Sequence, residues 1–267
     1  MRYVHGKDTS MTLLRGGTYT ALPYTAETLR VINRRVPLAE TVGRKKRAVF
    51  QETGKTVTGC FVTLITMSDI RELLSLITSP EENFDILINR GYEKIIYRNL
   101  TIKSFELRGG NDENVKLKIK IKETEDSYTE LFSPSTPDLE WQWEKTMSYM
   151  DYDFTAENCS EALGIYRFSF CGNYEEAAVY TLKVHGPVTA ESRLAGSGTT
   201  DKLNLLCLIM TEEDTVALRI RFTDLCPASD IGGSDAYGEQ LIQRLFYIDG
   251  TISIEVRGTN TYWGKEL

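Results

Sequence analysis

Residues 113–122 constrain the fold of this chain more than any other stretch. Val115, Leu117, Ile119 and Ile121 alternate with Lys116, Lys118, Lys120 and Lys122. Successive side chains on a strand point to opposite faces, whereas a helix returns to one face only every 3.6 or so residues. This segment can bury its apolar residues only as a strand with one dry face and one face carrying four ammonium groups. Four aligned lysines also oppose edge-to-edge association of sheets.

Much of the remaining chain carries the same signal. Leu29–Val36 reads as a strand running up to Pro37, which biases Val36 towards an extended backbone. Residues 38–66 lack a helical period. We read them as a long exposed hairpin with a basic arm, Gly43–Lys55, turning at Gly54 and followed by the β-branched run Thr56–Thr66. Phe84–Ile88, Ile95–Leu107 and the lysine ribbon are predicted strands, with Arg108–Glu113 as a hairpin loop. In the second half the predicted strands are Ile165–Phe170, Val179–Val184, Leu203–Met210, Val216–Phe222 and Thr251–Val256, the last opened by the turn pair Asp249-Gly250.

Two short helices are predicted. Ser68–Ile77 has Ser68 as its cap, Asp69 at its positive end, and Ile70, Leu73, Leu74 and Ile77 on one face. Gly238–Phe246 would turn Leu241, Ile242 and Leu245 inward. The two prolines of Ser133–Asp138 mark a linker. The expected fold is therefore mainly β, with two β-sandwich or barrel-like domains, each with one short helix. An N-terminal arm spans 1–35, the first β domain with its long hairpin 36–132, a linker 133–140 and the second β domain 141–267.

With 41 % apolar residues in 267, the chain has the material for a sizeable core. Its net charge of −7 is unevenly spread. Residues 1–140 hold 21 basic and 19 acidic side chains, a net +2, and residues 141–267 hold 10 and 19, a net −9. An acidic half does not bind nucleic acid by neutralising phosphates, but it complements a basic surface on a neighbouring copy. The longest apolar run, Leu203–Met210, is far too short for a membrane helix, and residues 1–7 do not resemble a signal peptide. Neither a membrane nor a secreted protein is expected. Cys60, Cys159, Cys171, Cys207 and Cys226 form no C-x-x-C pair and read as buried, reduced thiols.

Catalytic chemistry finds little support. The two histidines, His5 and His185, have no ligand-forming neighbours at metal spacing and read as surface or turn residues. No nucleophile motif is present, and Gly196-Ser-Gly198 reads as a flexible loop rather than a phosphate cradle. Glu175-Glu176 and Glu212–Asp214 read as solvated turns. We therefore expect no catalytic residue, metal or cofactor, and no enzyme. Two features carry an interaction reading. Arg44, Lys45, Lys46 and Arg47 form a basic run suited to an acidic surface on an adjacent subunit. Trp141 and Trp143 place two indoles on one face, as an anchor in a core or interface, or as a sugar-stacking platform in a carbohydrate-binding β-sandwich.

The succession of basic hairpin, Thr56–Thr66, the helix Ser68–Ile77, and then Asn89-Arg-Gly through Tyr97-Arg-Asn-Leu-Thr-Ile-Lys-Ser-Phe-Glu-Leu-Arg-Gly-Gly110 into the lysine strand resembles the tail tube proteins of long-tailed bacteriophages, over roughly residues 36–123. The acidic second half departs from single-domain tube proteins. The resemblance implies a structural virion protein in rings that stack into a tube. Its partners would be copies of itself and other tail proteins, with assembly in the host cytoplasm and DNA passing through the lumen without specific binding. The alternative in the same machine is a baseplate hub or distal tail protein. If each half supplies one wall position, three chains close a six-domain ring and are favoured over six chains.

Overall fold

The computed structural model describes residues 9–37, 50–66, 70–110, 113–131, 147, 151–156, 161–187, 203–212, 215–234, 240–256 and 259–264. The described residues are mainly β, with eighteen strands and one helix among them. They divide into two compact units whose segments alternate along the chain. One comprises Met1–Val62, Pro80–Lys103 and Ile119–Gln142, and the other Thr63–Ser79, Ser104–Lys118 and Trp143–Leu267. The expected linker 133–140 lies outside the described residues.

In the first unit, β1 (Ser10–Arg15) pairs on one side with β2 (Thr18–Ala21) and on the other with β7 (Phe84–Asn89). Strand β7 continues onto the first part of β8 (Lys94–Gly110), which also pairs with β10 (Tyr128–Leu131). Strand β3 (Tyr24–Glu27) pairs with β6 (Cys60–Leu64), and β6 pairs with β9 (Glu113–Lys122), the lysine ribbon. Val115, Leu117, Ile119 and Ile121 are buried, as their alternation demands, the first two in the part of β9 that belongs to the second unit. Strands β4 (Arg30–Pro37) and β5 (Phe50–Thr58) form a separate antiparallel sheet, from Arg30 opposite Thr58 to Pro37 opposite Phe50.

The hairpin was expected to turn at Gly54. Instead Gly54 sits within β5 opposite Arg34, beside a bulge that pairs Arg35 with Glu52. The strands run on past it, because Gly54 is not among the glycines with positive φ and the ladder takes up the irregularity between Arg34 and Arg35. The sharp break falls at Gly59, with φ +128°, where a Cβ would lie 2.4 Å from the Thr28 carbonyl oxygen. A polar cluster ties this corner down. Arg90 donates through Nε to Glu27 at 2.8 Å and through Nη2 to the Tyr97 hydroxyl at 3.0 Å, and that hydroxyl donates to the Leu29 carbonyl at 3.0 Å.

In the second unit, the last part of β8 pairs with β12 (Arg167–Asn173), and the sheet continues through β13 (Val179–Pro187), β16 (Gln240–Ile248), β15 (Thr215–Ser234), β14 (Leu203–Glu212) and β11 (Tyr152–Ala156). Strand β17 (Thr251–Val256) pairs with β15, and β18 (Thr259–Gly264) with β17. Phe154, Phe168, Phe170 and Phe222 fill the core, with Phe170 edge-on to Phe222 at 5.0 Å between centroids. The helix α1 (Ile70–Thr78) buries Ile70, Leu73, Leu74, Leu76 and Ile77. Its expected cap, Ser68 and Asp69, lies outside the described residues. At its other end the Tyr174 hydroxyl donates to the Ile77 carbonyl at 2.7 Å, satisfying one of the carbonyls that a helix end leaves open.

The second helix expected at Gly238–Phe246 is not formed. Residues 240–248 are β16, ladder-bonded to both β13 and β15. The true period is two: Arg244, Phe246 and Ile248 are buried, while Gln243 and Leu245 are half-buried and Tyr247 is exposed. A buried arginine at an apolar position disguised that alternation. With this helix goes the expectation of one short helix in each domain.

Candidate functional site

The outward face of β8, β12 and β13 carries the densest set of chemically useful side chains. Inward residues Phe105, Leu107 and Gly109 on β8, Phe168 and Phe170 on β12, and Leu182 and Val184 on β13 are buried, so the alternate positions turn outward. The register then sets the neighbours. Ser169 lies opposite Arg108 on one side and Lys183 on the other, and Arg167 lies opposite His185. These residues line a cleft of about 340 Å³ together with Glu106, Gly110 and Glu113.

Two glycines let the chain close up here. On the inner side a Cβ at Gly109 would lie 2.7 Å from the Phe168 ring and 2.8 Å from the Tyr152 ring, so only glycine fits beneath the cleft. On the outer side Arg167 lies over Gly110, with its Nε 3.2 Å from the place of a Cβ.

The charges are unequally engaged. Ser169 Oγ donates to Glu106 at 3.0 Å, and Glu113 is 3.5 Å from Lys116. Arg108, Arg167 and Lys183 form no salt bridge with another described residue, in contrast to Arg98, which meets Asp85 at 2.7 Å and Glu130 at 3.0 Å. Burial, then the neighbouring Lys183 and Arg167, hold His185 below the ordinary imidazole range. It was expected in a turn or on the surface. It is half-buried within β13, with its ring 6.4 Å from that of Tyr166.

The residues singled out from sequence fall elsewhere. Arg44, Lys45, Lys46 and Arg47 lie outside the described residues, in the 38–49 segment between β4 and β5. Trp141 and Trp143 also lie outside them, as do His5, Cys159 and Gly196–Gly198. Among the cysteines expected to be buried, Cys207 is buried, whereas Cys60, Cys171 and Cys226 are half-buried, and all four are thiols. The cleft residues went unread because each is an ordinary polar position on an alternating strand. The signal was the pair Arg167-Phe-Ser169 and Lys183-Val-His185, but only the register sets them side by side.

No family model matches the chain, and no curated protein sequence matches it. Among solved structures, K. pneumonia MrkH in its apo state aligns over 91 % of this chain and 80 % of that one, at 11 % identity and a TM-score of 0.21. The 2.65 Å P2(1) crystal of K. pneumonia MrkH aligns over 91 % and 78 %, at 11 % identity and a TM-score of 0.19. At such TM-scores the likeness carries no argument about fold or function.

Proposed function

We propose that the chain is a structural subunit that assembles with copies of itself, in the manner of a phage tail tube protein. The observation that carries this reading is the β4–β5 ribbon. It is a two-stranded sheet of its own, apart from the larger sheet. Val57 and Thr56 are buried, whereas Val31, opposite Val57, and Asn33, Gly54 and Lys55, on the rungs beyond Thr56, are exposed. At about 3.3 Å per residue, the eight residues of β4 reach roughly 26 Å. An isolated two-stranded ribbon is marginal in water, so one this long gains from packing on a neighbour. The basic run 44–47 lies between its strands in sequence, and the acidic half of another copy supplies the complementary charge.

Open sheet edges support the same reading. Among the described residues, β2 and β10 in the first unit and β11 and β18 in the second each pair with a single strand. Such edges can continue a sheet from subunit to subunit, and a head-to-tail contact whose rotation closes makes a ring. Negative-stain microscopy of concentrated protein tests this. Rings or tubes are the expected particles, and a protein that stays monomeric at every concentration overturns the proposal.

A further inference from the structure

We propose that the cleft on β8, β12 and β13 binds a small phosphorylated molecule, with Arg108, Arg167 and Lys183 holding the phosphate. This is a site separate from the assembly reading. Strands lie about 4.8 Å apart, so the Cα atoms of Arg108 and Lys183, on either side of Ser169, are roughly 10 Å apart. Arg167 enters from two residues along the middle strand. Three long cationic side chains on such a triangle can converge on one group, and a phosphate presents the acceptor oxygens that guanidinium and ammonium groups bind best.

The absence of salt bridges to other described residues argues for a ligand. Like charges this close repel. Elsewhere Arg98 meets Asp85 and Glu130, and Arg219 and Arg221 meet Glu255. Here Glu106, which accepts from Ser169, and Glu113, which faces Lys116, also line the cleft and offset part but not all of the positive charge. A dianion would relieve the repulsion that these carboxylates leave in place.

The size of the cleft selects the ligand class. About 340 Å³ exceeds what inorganic phosphate fills and lies at the low end of small-molecule sites. Ser169, between Arg108 and Lys183, and Glu106 beside it offer a hydroxyl and a carboxylate to the hydroxyl groups of such a ligand. The fit is to a sugar-phosphate-sized molecule.

His185 supplies the readout, because the chain has only two histidines. The charged groups that share the cleft with it are Arg167 from β12, Lys183 from its own strand, Arg108 and Glu106 from β8 and Glu113 from β9, and its neighbour in register on β16 is the uncharged Gln243. Lys183 and Arg167 disfavour its protonation, and a bound phosphate would favour it. The experiment follows the imidazole signals of the full chain by NMR across pH, with His5→Gln to assign them. Glucose 6-phosphate, glucose and a short oligothymidylate are the added probes. Glucose 6-phosphate is expected to raise the His185 pKa, while glucose leaves it unmoved. Arg167→Gln and Lys183→Gln, both at solvent-accessible positions, should each weaken binding by about tenfold with the melting curve retained. Arg108→Gln provides a third variant should either fail to fold. The proposal is overturned if glucose 6-phosphate leaves His185 unmoved, or if the folded variants bind as the native chain does. Tighter binding of oligothymidylate than of the sugar phosphate, lost in the same variants, also overturns it in favour of nucleic acid. None of these outcomes depends on ring formation, so the site and the assembly fail separately.

Discussion

Gly109 and Gly110 are adjacent, yet a methyl group added to each meets different matter. At Gly109 it would run into the Phe168 and Tyr152 rings, 2.7 and 2.8 Å away, and both rings are held in the core. At Gly110 it would meet the flexible Arg167 side chain at 3.2 Å. Gly109→Ala should therefore cost about 1–3 kcal/mol in urea unfolding, with Gly110→Ala costing clearly less. Equal costs for the two would contradict this packing. Burial also pushes the Tyr97, Tyr152 and Tyr174 hydroxyls above the ordinary tyrosine value. Above a pH of about 10 the unfolded chain releases these phenolic protons while the folded chain keeps them. The unfolded state then binds fewer protons, so stability is fully present below that pH and falls as pH rises through it. Unfolding free energies measured between neutral and strongly alkaline pH should show that fall, and a Tyr174→Phe variant a shallower one.

At the scale of elements, α1 is the clearest case of structure held by tertiary contact. Nine residues are too few for a stable isolated helix, so its apolar face must supply the stability. Leu73 is fully buried, and Leu73→Ala should destabilise by about 2–5 kcal/mol. An unchanged melting temperature would refute the packing. This helix was legible because Ile70, Leu73, Leu74 and Ile77 recur at helical spacing. Strand β16 was not, because Leu241, Ile242 and Leu245 fit the same template, and a strand with Arg244 facing inward breaks period two. Its ladder bonds to β13 and β15 come from segments more than 50 and about 15 residues away in sequence, which no local period records.

For the whole molecule, the prediction concerns assembly. Reversing Arg44, Lys45, Lys46 and Arg47 to Glu should leave the circular dichroism spectrum unchanged and abolish rings, as sedimentation would report. Exposed pairs contribute only about 0–1 kcal/mol each, so the four must act together. Rings at normal yield from the reversed variant would reject the basic arm as a contact. Native mass spectrometry of isolated rings counts the chains: three if each chain supplies two wall positions, six if it supplies one. The argument for three rested on tandem domains with a helix each, whereas the second helix is a strand and the two compact units draw on alternating segments.

What the amino-acid sequence determined by itself was the mainly β class, the faces of β9, β12, β13 and β17, and the helix α1. Each follows from a period written into contiguous residues, because a side chain's face depends only on its place along its own element. The cleft was decided by tertiary structure alone. Arg108, Arg167 and Lys183 are separated by 58 and 15 intervening residues, and become neighbours only through the register of β8, β12 and β13. A slip of one residue in that register would turn all of one strand's outward side chains into the core. Register is set by the fit of Phe105, Gly109, Phe168 and Phe170 across strands, and that fit exists only once the sheet has formed.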